Sequence, residues 1–206
     1  MSKVLNDKDK LRIAILSGST NNDPEEMSRS RALAEKYRDH LVSKGADVDW
    51  VDFRDLPDLP DWDSSFYDSY RDRLNNADGL VISTPIYNYG PSGKVLQFLH
   101  GTLDNEDQQY KPYSLLSGAG SPRSALALSG LATSLNHEIK GIGIGGGVQV
   151  SGDDMDLKTG IINNKILSRA QQNADKLLQV AAALRTKESM YKQAYLIGAR
   201  LAKARF

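Results

Sequence analysis

The chain contains no cysteine, no long apolar run and no net charge. Without cysteine it forms no disulfide, which fits a reducing compartment. No apolar run approaches the ~18 residues that a membrane-spanning helix needs. Lys plus Arg and Asp plus Glu each number 26, so no overall field draws the chain to nucleic acid or to an acidic membrane surface. The first ten residues are polar and lack the apolar stretch of a secretory signal, which predicts a cytoplasmic location.

The composition is that of a globular chain with one core. Hydrophobic side chains make up 40% and charged side chains 25% of the 206 residues, so we expect a single domain over residues 1–206. Its last part, residues 185–206, is predicted to be a helical extension, because Met190 to Phe206 has an amphipathic and basic pattern. Such a helix packs on its own domain or on a second subunit; the alternative is a membrane surface or another partner.

Short apolar segments alternate with helical patterns along the chain. The predicted strands are 11–16, 48–53, 79–83, 113–117 and the later half of 139–150. The predicted helices are 28–43, 66–75, 92–99, 121–135 and 162–184. Five strands that alternate with helices predict an α/β fold with a doubly wound, five-stranded parallel sheet. In such sheets ligands bind beyond the carboxyl ends of the strands, which directs attention to the loops after the first, third and fourth strands.

The first of these loops has the composition of an anion site. Ser17 to Asn22 is rich in hydroxyls, amides and glycine, and Ser28 to Arg31 opens a helix, where backbone N–H groups and the helix dipole favour a phosphate. The same residues also suit an ordinary capped loop. Acidic residues at 23–26 would repel a phosphate, so we expect residues 23–27 to form a turn that bulges away and the helix to start at 28–30.

The second and third loops suit a flat ring. Residues 85–93 combine two tyrosines, an amide, two prolines and two glycines directly after a buried strand, which favours a ring held by main-chain groups and aromatics. A structural turn with surface tyrosines is the alternative. Residues 117–121 could bring backbone N–H groups to the other edge of the ring.

The second loop resembles the PEYN-G motif of the NADPH-dependent FMN reductase family, which includes azoreductase, quinone and chromate reductases. It reads Thr84-Pro85-Ile86-Tyr87-Asn88-Tyr89-Gly90, and a helix with Leu-Gln-Phe-Leu follows. The resemblance covers roughly residues 11 to 184 and implies a flavodoxin-like fold with FMN as cofactor and NAD(P)H as co-substrate. It implies no catalytic side chain and no metal ligand. The cofactor-binding residues that it and the loops indicate are Ser17, Ser19, Thr20, Ser28, Arg29, Ser30, Pro85, Ile86, Tyr87, Asn88, Tyr89, Gly90, Ser117, Gly118, Gly120 and Ser121.

The first loop departs from the family's Gly-Ser-x-Arg-x-x-Ser-x-Asn pattern. Thr20-Asn21-Asn22 lacks the expected arginine, the spacing to Ser28 is longer, and Ser30 replaces asparagine. Arg29 and Arg31 are the candidates for the missing cation. By the same resemblance, Ser121 and Arg123 are expected beside the nicotinamide nucleotide.

Several other motifs indicate no separate chemistry. Gly141 to Gly146 spells GxGxxG but leads into Val-Gln-Val instead of a helix, and Gly93-Lys94 lacks the Ser or Thr of a phosphate-binding P-loop. The three histidines are scattered and no cysteine accompanies them, which disfavours a metal site. Asp55, Asp58, Asp61 and Asp63 are expected to form a solvated loop.

The resemblance implies an enzyme that passes electrons from NAD(P)H through FMN to a small acceptor such as free flavin, a quinone, an azo compound or a metal oxyanion, with ping-pong kinetics. The alternative is an FMN-binding electron carrier or a non-catalytic binding module, and a flavin-free scaffold is a third possibility. The neutral charge disfavours a carrier, whereas the altered first loop favours the scaffold. Relatives are commonly homodimers or homotetramers, so self-association is expected, with no nucleic acid and no membrane span.

Overall fold

The computed structural model describes residues 10–23, 25–61, 63–103, 108–121 and 126–185. The strands are β1 (Arg12–Ser17), β2 (Asp47–Asp52), β3 (Gly79–Tyr87), β4 (Gly90–Pro91), β5 (Pro112–Ala119), β6 (Ile142–Gly143) and β7 (Val148–Ser151). The helices are α1 (Arg29–Ser43), α2 (Asp68–Asn75), α3 (Gly93–Thr102), α4 (Ser129–Glu138) and α5 (Asn164–Arg185). Short 3₁₀ turns lie at Ser65–Tyr67 and Gly152–Asp154.

The sheet has the predicted doubly wound parallel arrangement. Its order is β2-β1-β3-β5 followed by β6, and β7 also pairs with β5, so the fifth position is divided between two short strands. Gly145 and Gly147 adopt positive φ of 66° and 79° in the turn between them, a conformation that glycine adopts without steric cost. This turn interrupts the last strand, and it explains why the GxGxxG there does not open a helix.

Helices cover both faces of the sheet. Along β1, Ile13 and Ile15 belong to the core under α1 and α5, whereas Ala14 and Leu16 belong to the core under α2, α3 and α4. This alternation follows from the two-residue repeat of a strand. The continuous burial of β3 from Gly79 to Ile86 identifies it as the central strand, as its apolar sequence predicts.

Strand β3 and helix α4 differ from the predicted boundaries. Strand β3 continues past Ser83 and turns back through β4 as a hairpin. Helix α4 starts at Ser129, after a 3₁₀ turn at 126–128, and its buried residues are Leu131 and Leu135. Residues 122–125 and the predicted extension beyond Arg185 lie outside the described residues, so the extension stays a prediction. Within the described ranges, no helix is both long and apolar enough to cross a bilayer.

Candidate functional site

Loops from three strand ends meet in a cleft of about 320 Å³ at the carboxyl edge of the sheet. The predicted site residues that line it are Ser19, Thr20, Ser28, Arg29, Ser30, Pro85, Ile86, Tyr87, Gly118 and Gly120. The loops after β1, β3 and β5 therefore meet as the parallel topology requires. Its volume is at the lower end of the ~300–1,000 Å³ typical of small-molecule sites.

The N-terminus of α1 forms one end of the cleft. Ser28 is the N-cap, and its hydroxyl accepts a hydrogen bond from the N–H of Arg31. Ser28 Oγ and Ser30 Oγ lie 3.2 Å apart, and Ser19 and Ser30 are each 1% exposed. The first N–H groups of a helix have no partner within the helix, so hydroxyls and N–H groups together make this end suitable for an anion.

The acidic segment before α1 behaves only partly as expected. The helix begins at Arg29 and its first turn contains no acidic residue, as the sequence predicts. The segment does not bulge away, however, because Glu26 and Met27 line the cleft. The side-chain amide of Asn21 donates to Glu26 O at 3.2 Å and Met27 N donates to Leu157 O at 2.9 Å, and these bonds hold the segment at the rim.

Close packing fixes the helix end to the sheet. Gly18 N donates to Ser83 O at 2.8 Å, and Ser83 Oγ donates to Ser30 O at 2.8 Å. A Cβ on Gly118 would overlap Ser30 N and lie 2.7 Å from Arg29 Cβ, so only glycine allows α1 to approach β5 this closely. The anion end of the cleft is therefore held rigidly by β1, β3 and β5.

The two candidate arginines differ in their surroundings. Both oxygens of Asp52 accept hydrogen bonds from Arg31, at 2.9 Å and 2.7 Å, and Glu35 Oε1 lies 3.0 Å from Arg31 Nε. Burial alone would lower the pKa of Arg31, but these carboxylates outweigh it and raise the pKa. Burial would likewise raise the pKa of Asp52, but hydrogen bonds from Arg31 and Arg54 hold that pKa below the usual range. Arg31 is thus neutralised at the end of β2.

Arg29 lines the cleft and pairs with no acidic side chain among the described residues. Its Nη2 donates to Gly152 O at 3.4 Å, a long hydrogen bond. Its Nε is buried and has no hydrogen-bond acceptor in the described part of the chain. Among the described residues that line the cleft, Arg29 is the cation.

The β3–β4 hairpin forms another wall of the cleft. Tyr87 pairs with Gly90 across a two-residue turn in which Asn88 and Tyr89 have φ of 47° and 63°. Left-handed conformations at both central positions define a type I′ turn. Tyr87 and Tyr89 are 61% and 72% exposed, but only Tyr87 lines the cleft. Asn88, Tyr89 and Gly90, predicted as main-chain contacts, lie at the tip or the return strand of the hairpin, outside the lining.

Three other predicted residues also lie outside the lining. Ser17 and Ser117 are fully buried in the sheet, and neither hydroxyl has a hydrogen-bond partner among the described residues. Ser121 follows the lining residue Gly120, and its carbonyl accepts from the side-chain amide of Gln149 at 3.1 Å. Arg123 lies outside the described residues.

The structure adds lining residues that the sequence did not indicate. Glu26, Met27 and Ala119 are neighbours of predicted residues, whereas Leu157 arrives from the loop after β7. The bond from Met27 N to Leu157 O brings that loop to the cleft, and a contact over such a distance in sequence leaves no local signal.

The lining contains few ionisable groups: Glu26, Arg29 and Tyr87. No paired carboxylates and no histidine lie among them, so the described part of the lining offers neither an acid/base pair nor a nucleophile beside a base. The cleft has hydroxyls and, among its described side chains, one unpaired cation at one end, and backbone with a tyrosine along its wall. This arrangement fits an anionic ligand that carries a flat ring. In the part of the chain that the structure describes, no group of acidic, histidine or cysteine side chains could hold a metal ion.

Comparisons with known proteins agree with this arrangement. The family described as NADPH-dependent FMN reductase matches residues 11–153. No curated protein matches the sequence.

Many solved structures share the fold. One is an apo NADH:FMN oxidoreductase, EmoB, at 21% identity and a TM-score of 0.66, covering 82% of this chain and 88% of the other. Another is RosB with a bound 8-demethyl-8-formylriboflavin-5′-phosphate, at 18% identity and a TM-score of 0.67, covering 95% and 88%. An oxidoreductase from Corynebacterium diphtheriae is 18% identical, with a TM-score of 0.64 and coverage of 84% and 98%. A flavodoxin from the domain Archaea is also similar, at 16% identity and a TM-score of 0.60, which supports the flavodoxin-like fold.

Proposed function

We propose, from the family to which the chain belongs, that it oxidises NAD(P)H and reduces a small acceptor at the cleft described above. That family is the NADPH-dependent FMN reductase family, whose members are FMN-dependent oxidoreductases. The cofactor of this family is FMN and its co-substrate is a nicotinamide nucleotide, as the sequence predicts. The observation that supports the proposal best is the meeting of the three predicted loops in one cleft with an anion-binding end and a flat wall.

The residues present fit FMN. The guanidinium of Arg29, which no described acidic side chain pairs, and the hydroxyls of Ser19, Ser28 and Ser30 suit the phosphate, whose oxygens accept hydrogen bonds from such groups. Gly120 has no atom within 4 Å of the position of a Cβ, so space is open beside the backbone of the third loop. The wall of Pro85 to Tyr87 offers main chain and one aromatic ring.

When bound, FMN would supply the redox chemistry that links a nicotinamide donor to an acceptor. The protein's own part is then binding and orientation. The hydroxyls and N–H groups at the start of α1 hold the phosphate, and the rigid contacts of Gly18, Ser83 and Gly118 keep that end in register with the wall. No lining side chain has to take up or release a proton for this role, in keeping with the few ionisable groups there.

A blocking variant tests the proposal. In Gly120→Phe an aromatic side chain enters the open space beside the third loop, and the backbone of Gly120 is not in the left-handed region, so the fold is expected to persist. Gly130→Phe is the matched control, because Gly130 is also unobstructed but lies on exposed α4, away from the cleft. Each protein is titrated with FMN by quenching of flavin fluorescence and then mixed with NADPH under nitrogen while flavin absorbance is followed.

We expect the unmodified chain and Gly130→Phe to bind FMN and to bleach it with NADPH, and Gly120→Phe to bind FMN much more weakly. Equal binding by all three would place the flavin elsewhere. Bound flavin that NADPH does not bleach would favour an electron carrier, and no flavin binding by the unmodified chain would refute the proposal.

Other features of the proposal rest on the family resemblance. The acceptor is a small molecule such as free flavin, a quinone, an azo compound or a metal oxyanion, and steady-state rates with each class distinguish them. Self-association as a homodimer or homotetramer, one domain over the whole chain, and a cytoplasmic location stay predictions.

A further inference from the structure

We propose that Arg29 is the cation that holds the cofactor's phosphate monoester and makes the cleft select FMN over uncharged riboflavin. This inference rests on the proposed function, since it assigns a residue to the flavin site. It also chooses between the two arginines that the sequence left open.

The first step is the unused donor capacity of Arg29. A guanidinium has five N–H donors, and in the described part of the chain Arg29 uses one of them, in the 3.4 Å bond from Nη2 to Gly152 O. Its Nε is buried without an acceptor among the described residues, so a ligand in the cleft does not reach that atom as the side chain stands. Arg29 nevertheless lines the cleft and no described acidic side chain pairs with its guanidinium, so the remaining donors suit an incoming anion.

The second step is the position of Arg29. It is the first residue of α1, so its side chain, the hydroxyls of Ser28 and Ser30 and the first N–H groups of the helix share the same end of the cleft. A phosphate there receives charge-assisted hydrogen bonds from the guanidinium in addition to those from the helix terminus. The bond to Gly152 O and the packing of Arg29 Cβ beside Gly118 orient the side chain before the ligand arrives.

The third step is the charge balance of the lining. Among the described lining residues, Glu26 and Arg29 carry a formal charge at neutral pH, so this part of the lining is neutral with Arg29 and has one negative charge without it. Arg31 cannot replace this charge, because Asp52 and Glu35 hold its guanidinium. Of the described side chains in the lining, Arg29 is therefore the one that adds a full positive charge to the attraction from the helix terminus.

The test compares FMN with riboflavin, which differ only in the phosphate. Dissociation constants for both flavins are measured by fluorescence quenching for the unmodified chain and for Arg29→Gln, Arg29→Lys and Arg38→Gln. Arg38→Gln is the matched control, because it removes the same charge from α1 at a site where Arg38 pairs with Asp39 on the surface. The affinity for riboflavin serves as an internal measure of an intact site.

We expect Arg29→Gln to lower the affinity for FMN by about 10- to 100-fold, the usual loss when a hydrogen bond to a charged group is removed. Its affinity for riboflavin is expected to stay unchanged. The affinity of Arg29→Lys for FMN should lie between those of the unmodified chain and Arg29→Gln, because lysine keeps the charge but not the planar donor pair. Arg38→Gln should retain the preference of the unmodified chain.

Each other outcome is decisive. If Arg29→Gln keeps the full preference for FMN, or if the unmodified chain binds both flavins equally, the assignment of Arg29 is wrong while flavin binding stands. If the unmodified chain binds neither flavin, the proposed function fails and the inference fails with it.

Discussion

Gly118 lies where β5 meets the first turn of α1, and a single methyl group there is expected to separate them. A Cβ at this position would overlap Ser30 N and lie 2.7 Å from Arg29 Cβ and 2.9 Å from Arg29 C. Carbon atoms in favourable contact are about 3.5–4.0 Å apart, so the helix would have to withdraw by about 1 Å. The obstacle is helix backbone and not the end of a flexible side chain, so no rotamer change relieves it.

The expected cost of Gly118→Ala follows from two opposed effects. Overpacking a rigid contact costs about 1–3 kcal/mol, and the upper half applies because withdrawal also strains the bond from Ser83 Oγ to Ser30 O. Replacing glycine by alanine recovers about 0.4–1 kcal/mol by restricting the unfolded chain, since the φ of Gly118 is acceptable to alanine. We therefore expect a net loss of about 2 kcal/mol.

Urea unfolding measures this loss, with Gly120→Ala as the control. Gly120 is two residues away in the same loop, also lacks a positive φ, and has no atom within 4 Å of its Cβ position, so its alanine variant should be as stable as the unmodified chain or slightly more stable. Equal midpoints for the two variants would refute the close packing of α1 on β5. A loss of stability accompanied by weaker FMN binding would further indicate that this contact positions Ser30 and Arg29.

Two further predictions concern residues outside the cleft lining. Arginine contacts lower the pKa of Asp52, so its contribution to stability is present above the unfolded-state pKa of about 3.9 and is lost as the pH falls toward the folded-state value. The free energy of unfolding of Asp52→Asn should therefore be about 2 kcal/mol lower at neutral pH, and in urea titrations it should depend less on pH in the acidic range. An unchanged dependence on acidic pH would contradict this. Tyr89 has φ of 63°, so Tyr89→Gly should be about 1–2 kcal/mol more stable than Tyr89→Val, and equal unfolding midpoints would argue against the left-handed turn.

The sequence predicted the sheet well because strand and helix periodicities are local. The buried run of β3 and the long apolar face of α5 occur where the pattern indicates. The hairpin after β3 was not predicted, because it depends on two left-handed residues, and tyrosine gives no signal for that conformation. The division of the last strand into β6 and β7 likewise depends on the backbone at Gly145 and Gly147.

The loops of the site were predicted from topology, but which side chains reach the cleft was not. Ser17 has the same strand parity as Ile13 and Ile15, so its hydroxyl belongs to the face that α1 and α5 cover. Ser117 likewise shares its face with Tyr113 and Leu115 on the opposite side. Closeness to a site loop in sequence therefore included strand residues that do not line the cleft. The two-residue repeat of a strand decides which of its last residues face the core.

Arg29 and Arg31 differ in whether an acidic side chain neutralises them, and Asp52, outside the cleft, neutralises Arg31. Two residues apart on a helix, their side chains project about 200° apart, so they cannot both face the same ligand. The sequence does not reveal which one faces the cleft. The orientation of α1 on the sheet decides it: Arg29 lines the cleft, and Arg31, on the far side of the helix, is bound by both carboxylate oxygens of Asp52 at the end of β2. Asp52→Asn would release Arg31 without turning it toward the phosphate end, so the variant should lose stability yet keep its preference for FMN over riboflavin.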